Sequence, residues 1–180
     1  MRQIEEYFPR ELLDRKGATL DDAEQSVWHA IERFIGELEG LSEEQLQRPL
    51  REGGWSPAQY ADHLYRVHLL YLSSIELAVR GEAPVRYPRG LLTANGGLVT
   101  VPEGEPVAGR PRHELVSDLH SSATELVAAA RAAVAAGVGE RICHVNPYFG
   151  ELTALGCLQM AAVHARHHSR QHLSKVASTA

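Results

Sequence analysis

Apolar residues recur every three or four positions in four separate stretches of this chain, a spacing that restricts it to folds in which helices bury one another's stripes. In the first stretch Asp21 and Asp22 place acids where a helix begins. Val27, Trp28, Ile31, Phe34, Ile35 and Leu38 follow at helical spacing until Gly40. Ser42 before Gln45 has capping-box spacing and predicts a short turn over 41–46, closed by Pro49 and Gly53-Gly54. Ser56 then caps a second helix with Pro57 in its first turn, where a missing amide proton costs nothing. Its stripe of Tyr60, Leu64, Val67, Leu70, Tyr71 and Ile75 runs to Gly81. A third helix is predicted over 113–136 from Leu115, Val116, Leu119, Leu126, Val127 and Val134, with Gly137 as its stop. After Asn146-Pro147-Tyr148-Phe149-Gly150 a fourth carries Leu152, Leu155, Leu158, Ala162, Leu173 and Val176. Together they predict an all-α fold, an antiparallel four-helix bundle forming one domain over 1–180.

The pattern breaks between helices two and three. Residues 81–112 hold five prolines and six glycines, enough to break the helical pattern and to predict a long loop, of the kind that is usually functional or mobile. Asn95-Gly96 signals a turn there, and Leu98–Val101 reads as a short hairpin strand. Arg86, Arg89, Arg110 and Arg112 make the loop locally basic, which reads as solvated charge rather than an anion site.

A length of 180 residues with 44% hydrophobic and 23% charged side chains suits one cooperative core. The net charge of -5 supplies no basic field for nucleic acid or an anionic membrane, leaving small molecules and protein partners. No apolar run reaches the roughly 18 to 20 residues of a membrane span. The acidic start Met1-Arg2-Gln3-Ile4-Glu5-Glu6 lacks a leader's apolar region, so a cytoplasmic protein is expected. Cys143 and Cys157 lack metal or redox spacing and read as buried, reduced thiols.

Function has to come from the ten histidines, sorted by position. His63 sits inside the second stripe, flanked by Tyr60 and Val67 at only about 40 to 60°, so its buried ring needs a partner. On the fourth helix Ala162, Ser169 and Leu173 mark the apolar centre, and His164, His168 and His172 form a slanting row along its border. His167 points away. Residues four apart share a helix face, so either His164 with His168 or His168 with His172 can offer two imidazoles to one ion. The helical wheel leans toward the second pair and does not decide. Positions 29, 68, 113, 120 and 144 have no ligand-spaced partner, and His29 falls opposite its stripe, toward solvent. Cys157 lies about 10 Å of helix rise from His164, too far to share an ion.

Three segments carry a family resemblance. Gly54-Trp55-Ser56-Pro57-Ala58-Gln59-Tyr60-Ala61-Asp62-His63-Leu64 resembles the second-helix signature of the DinB/YfiT-like metalloproteins, a superfamily unrelated to the DNA polymerase of that name. His164-Ala165-Arg166-His167-His168-Ser169-Arg170-Gln171 is similar to its closing H-x-x-H-H-x-x-Q pattern. Asn146-Pro147-Tyr148-Phe149-Gly150-Glu151-Leu152 resembles the Pro-x-Phe-Gly-x-Leu lead into that helix. The resemblance implies His63, His164 and His168 as metal ligands, and His172 departs from a position the family usually fills with an apolar residue.

Three neutral imidazoles leave a divalent zinc, nickel or iron ion its full charge and an open position. The resemblance implies a thiol-dependent S-transferase-like enzyme that uses a low-molecular-weight bacterial thiol on a small electrophile, and a homodimer. The alternatives are a metal-dependent hydrolase and a non-catalytic metal or ligand-binding protein. Hydrolysis calls for a carboxylate base, and Asp62, about 100° from His63 around the helix, is the only one near. Tyr60 and Tyr71, on the His63 side, and Gln171 are the expected helpers for cofactor or substrate.

Overall fold

A computed structural model describes residues 1–173, the side chain of His172 excepted. In chain order its first half holds β1 (Arg2–Gln3), α1 (Glu11–Asp14), α2 (Leu20–Glu39), α3 (Glu43–Gln47) and α4 (Pro57–Val79). Then come β2 (Val85–Arg86), β3 (Leu91–Leu92), a 3-10 turn (Pro102–Gly104), α5 (Arg112–Ala135), β4 (His144–Asn146), β5 (Gly150–Leu152) and α6 (Ala154–His168). A π-helical turn, Ser169–Leu173, continues α6.

Several helices begin where side chains supply acceptors to the unpaired N–H groups of the first turn. Thr19 and Asp22 form a reciprocal capping box at α2, Ser42 and Gln45 one at α3, and Ser56 and Gln59 one at α4, with Pro57 in the first turn. Each such cap contributes about 1 kcal/mol and sets the residue at which the stripe starts. α4 packs chiefly on α5 and α2 on α6, and Ile31, Phe34, Leu38, Leu64, Ile75, Leu119, Leu126 and Leu158 are fully buried between them. The chain is mostly helical, with the helices arranged as a bundle.

The strands depart from the all-α expectation. β4 pairs antiparallel with β5 and parallel with β2, while β1 pairs antiparallel with β3. Leu152, expected in the last helix, closes β5, and α6 starts only after Thr153 accepts a bond from the Gly156 N–H. The expected strand over 98–101 reduces to one bridge, Leu98 to Leu92. Elements of two or three residues show no alternation a sequence could reveal, and they exist here through pairing with distant segments. Val176 and the His172 side chain lie outside the described residues.

Three of the four arginines of 81–112, Arg89, Arg110 and Arg112, act as struts rather than solvated charge, while Arg86 is exposed. Arg112 donates to the carbonyls of Leu38, Glu39 and Leu41 at 3.0, 2.9 and 2.7 Å, satisfying orphan acceptors where α2 ends. Arg110 reaches Asp62 on α4 at 2.8 Å and Asp118 on α5 at 2.6 Å. Arg89 donates to the Glu5 carbonyl and lies over the Tyr7 ring. The Tyr148 hydroxyl sits 2.8 and 2.6 Å from the Leu91 and Val99 carbonyls. The loop is thereby tied to α4, α5 and the β4–β5 hairpin.

Candidate metal centre

His63 projects from the second turn of α4, and His164 and His168 from successive turns near the end of α6. One nitrogen from each ring lies within 4.8 Å of the others. The Nε2 of His164 is 3.1 Å from that of His63 and 2.8 Å from that of His168. Protons satisfy this meeting poorly, since a hydrogen on the His164 Nε2 would have to be shared between two lone pairs. If one neighbour donates to the His164 Nε2, the lone pair there already has its hydrogen, and the second contact sets two lone pairs face to face. A cation on which all three lone pairs converge removes that conflict. Tetrahedral zinc with nitrogens at about 2.0–2.1 Å separates its ligands by roughly 3.3 Å, close to the two contacts that His164 makes.

The surroundings prepare the lone pairs. The His63 Nδ1 stands 2.6 Å from the Gly104 carbonyl, an atom that only accepts, so Nδ1 carries the proton and Nε2 is left bare. Burial pushes the His63 imidazole below its ordinary pKa, partly offset by that bond. Burial, with the neighbouring His63, His167 and His68 rings, takes His164 well below it. Both are therefore neutral at pH 7, the state a metal ligand needs. The buried Nδ1 of His164 finds no hydrogen-bond partner among the described residues.

Aromatic rings wall the cluster. Trp55 lies 4.9 Å from the His63 ring, and Tyr60 packs 5.3 Å from Trp55 and 4.9 Å from His168. The interval from Trp55 to His63 is thus a packing relation: the indole just before the α4 cap folds back onto the ring in its second turn. Burial raises the Tyr60 phenol, which stays protonated.

Of the other expected helpers, Tyr71 lies away from the cluster, about 12 Å further along α4, its hydroxyl accepting from the Asn146 side chain at 3.1 Å and its ring against His144. Gln171 is exposed on the π-helical turn. Cys157 faces Cys143 rather than the histidines, and His29 is exposed as expected.

Asp62 turns away from the cluster. Its Oδ2 accepts from Arg66 at 2.6 Å and from the Val107 N–H at 2.7 Å, and its Oδ1 from Arg110 at 2.8 Å. Burial would raise this carboxyl, but the bonds from Arg66, Val107 and Arg110 outweigh it and hold it below the usual range. Asp62 and His63 thus grip the loop side by side. The partner of His63 in that grip, the Gly104 carbonyl, left no trace in the sequence beyond a glycine in a proline-rich loop, because a backbone acceptor has no residue type. A Cβ at Gly104 would stand 2.7 Å from the Thr100 Oγ1 and 3.5 Å from the His63 Cε1, so a larger residue there would have to displace the Thr100 hydroxyl.

No curated protein matches the chain. Its fold is similar to that of YfiT from Bacillus subtilis, described as a probable metal-dependent hydrolase with an unusual four-helix bundle topology. The TM-score is 0.67 at 19% identity, over 98% of this chain and 94% of YfiT. Over residues 27–172, which take in His63, His164 and His168, the sequence matches the DinB superfamily, and the chain belongs to it.

Proposed function

We propose that this chain is a metal-dependent enzyme in which His63, His164 and His168 hold a divalent zinc, nickel or iron ion, and which joins the sulfur of a low-molecular-weight bacterial thiol to a small electrophile. The observation that carries the reading is the convergence of three Nε2 atoms with no carboxylate among them. A bound ion supplies a Lewis-acid position that lowers the pKa of a thiol or water placed there. The protein's own part is to keep that position open and its ligands neutral. Gly104 fixes the proton of His63 on Nδ1, and burial keeps His63 and His164 neutral. Trp55 and Tyr60 hold the rings by packing and shield them from water. In the transfer, a sulfur–carbon bond forms on the electrophile and its leaving group, such as chloride, departs with the bonding pair. The family resemblance adds a homodimer to this reading.

Hydrolysis is the second reading, and the YfiT description favours it. It asks for a carboxylate to take a proton from water. Asp62, the carboxylate beside His63, has both oxygens engaged by Arg66, Arg110 and Val107, which leaves it unsuited to that role. A thiol needs no such base once its pKa is lowered.

Elemental analysis of untagged protein tests the site. Wild type is expected to hold close to one equivalent of metal, and His63→Ala and His168→Ala below about a tenth; full content in both variants would overturn the assignment. Turnover is then tested with zinc- or nickel-loaded protein, a bacterial thiol and a chlorinated nitroarene. A rate no higher than that of the variants removes the transferase reading, whereas ester cleavage by the same loaded protein would establish the hydrolase.

A further inference from the structure

Cys143 immediately precedes β4 and Cys157 lies in the first turns of α6, yet their sulfurs approach to 3.6 Å. Both side chains are buried, at 1% and 0% exposure. Backbone fixes the meeting. The Cys143 N–H donates to the Leu152 carbonyl at 3.0 Å, and Thr153, the next residue, caps the helix that carries Cys157. A disulfide has an S–S distance of about 2.05 Å, so closure asks the sulfurs to approach by about 1.5 Å.

We propose that Cys143 and Cys157 form a modification site, an oxidisable dithiol that a small peroxide closes to an intramolecular disulfide. The Cys143 sulfur attacks one peroxide oxygen and the O–O bond breaks, giving a sulfenic acid and water. The Cys157 sulfur then attacks that sulfenic sulfur, the S–O bond breaks, and a second water leaves. The two thiols lose two electrons, and the peroxide is reduced to two waters. The order of attack follows from the asymmetry of the pair. A bond from the Cys157 thiol holds Cys143 below the usual thiol range, while burial pushes Cys157 up.

Burial selects a small oxidant. The start of α6 is covered by Arg10, which donates to the Glu151 carbonyl and to the Gln159 side chain, both at 3.2 Å. The product would tie the β4–β5 hairpin to the helix bearing His164 and His168. This dithiol stands apart from the histidine cluster, and neither its chemistry nor its test depends on a metal.

Arginines at 141 and 166 bound a tryptic peptide, 142–166, that contains both cysteines. Folded protein would be treated with hydrogen peroxide, quenched with catalase, unfolded in N-ethylmaleimide and digested. The expected product is a peptide about 2 Da lighter with no maleimide adduct, against two adducts in untreated protein and in oxidised protein reduced with dithiothreitol before alkylation. Cys157→Ser should leave only oxygen adducts on Cys143. Two maleimide adducts after peroxide, or separate gains of about 32 Da on each cysteine, would overturn the proposal.

Discussion

His63 and His68 stand on the same helix, both buried, and burial lowers the pKa of both. Their neighbours differ. The His68 Nδ1 meets the Ser122 hydroxyl of α5 at 3.0 Å, and nearby His144 likewise meets Ser74 at 2.9 Å. Each of these rings has one neutral hydroxyl beside it, enough to offset part of its desolvation. His63 instead hands its proton to a backbone carbonyl and turns its lone pair toward two more imidazoles. Burial and a depressed pKa therefore do not separate a packing histidine from a candidate ligand. What separates them is the second nitrogen: that of His63 faces further imidazole nitrogens, whereas the buried Nε2 of His68 has no hydrogen-bond partner among the described residues.

Paired substitutions put the largest strain on that distinction. His63→Gln should strip the metal to below about a tenth of an equivalent, while His68→Gln, at the cost of some stability, should keep it. Equal metal content in the two would erase the contrast. Acid sharpens it next. His68 and His144 are pushed down to about 4 by burial, whereas unfolded histidines titrate near 6.5. Between those values the unfolded chain binds more protons, so stability falls as pH drops from about 6.5 to 4, by roughly 3 kcal/mol for each ring. Thermal melts across that range in EDTA should show the loss, to which the metal-free His63 and His164 also contribute, and His68→Gln should remove roughly 3 kcal/mol of it; identical slopes would mean that His68 is not part of the acid-sensitive element. The smallest effect concerns the carbonyl behind His63. Gly104→Ala moves the turn against Thr100 and His63, and should weaken metal binding by roughly 10- to 100-fold in competition titrations while the fold persists. Unchanged affinity would show that the Nδ1 bond does not orient the ring.

The sequence was most legible where side chains speak for the backbone. Ser42, Ser56 and Pro57 mark the helix starts because capping is local chemistry, and the stripes of α2, α4 and α5 lie where periodicity put them, except that Val134, at the end of the α5 stripe, is exposed. α6 was drawn too long because Leu152 fits its wheel while pairing, in fact, opposite His144 in the hairpin. Spacing on a single helix could not choose between His164 and His172, since the choice depends on which turn faces α4. The family motifs pointed to His164, and the structure brings it within 3.1 Å of His63. Arg110 and Arg112 looked like solvated charge because their acceptors, Asp62 and the carbonyls ending α2, are far away in sequence. Cys143 and Cys157 were legible as buried, but not as neighbours, for the same reason.

The adjacent grips of Asp62 and His63 on one loop have a mechanical corollary. Asp62 clasps the Val107 N–H and Arg110, and His63 clasps Gly104, so the loop cannot lift at this point without releasing both residues of the same helical turn. While the loop is down, the His63 ring has one tautomer available; once it lifts, either nitrogen can carry the proton. Lifting this part of the loop and freeing the imidazole tautomer are thus one event, since both require the His63–Gly104 bond to break.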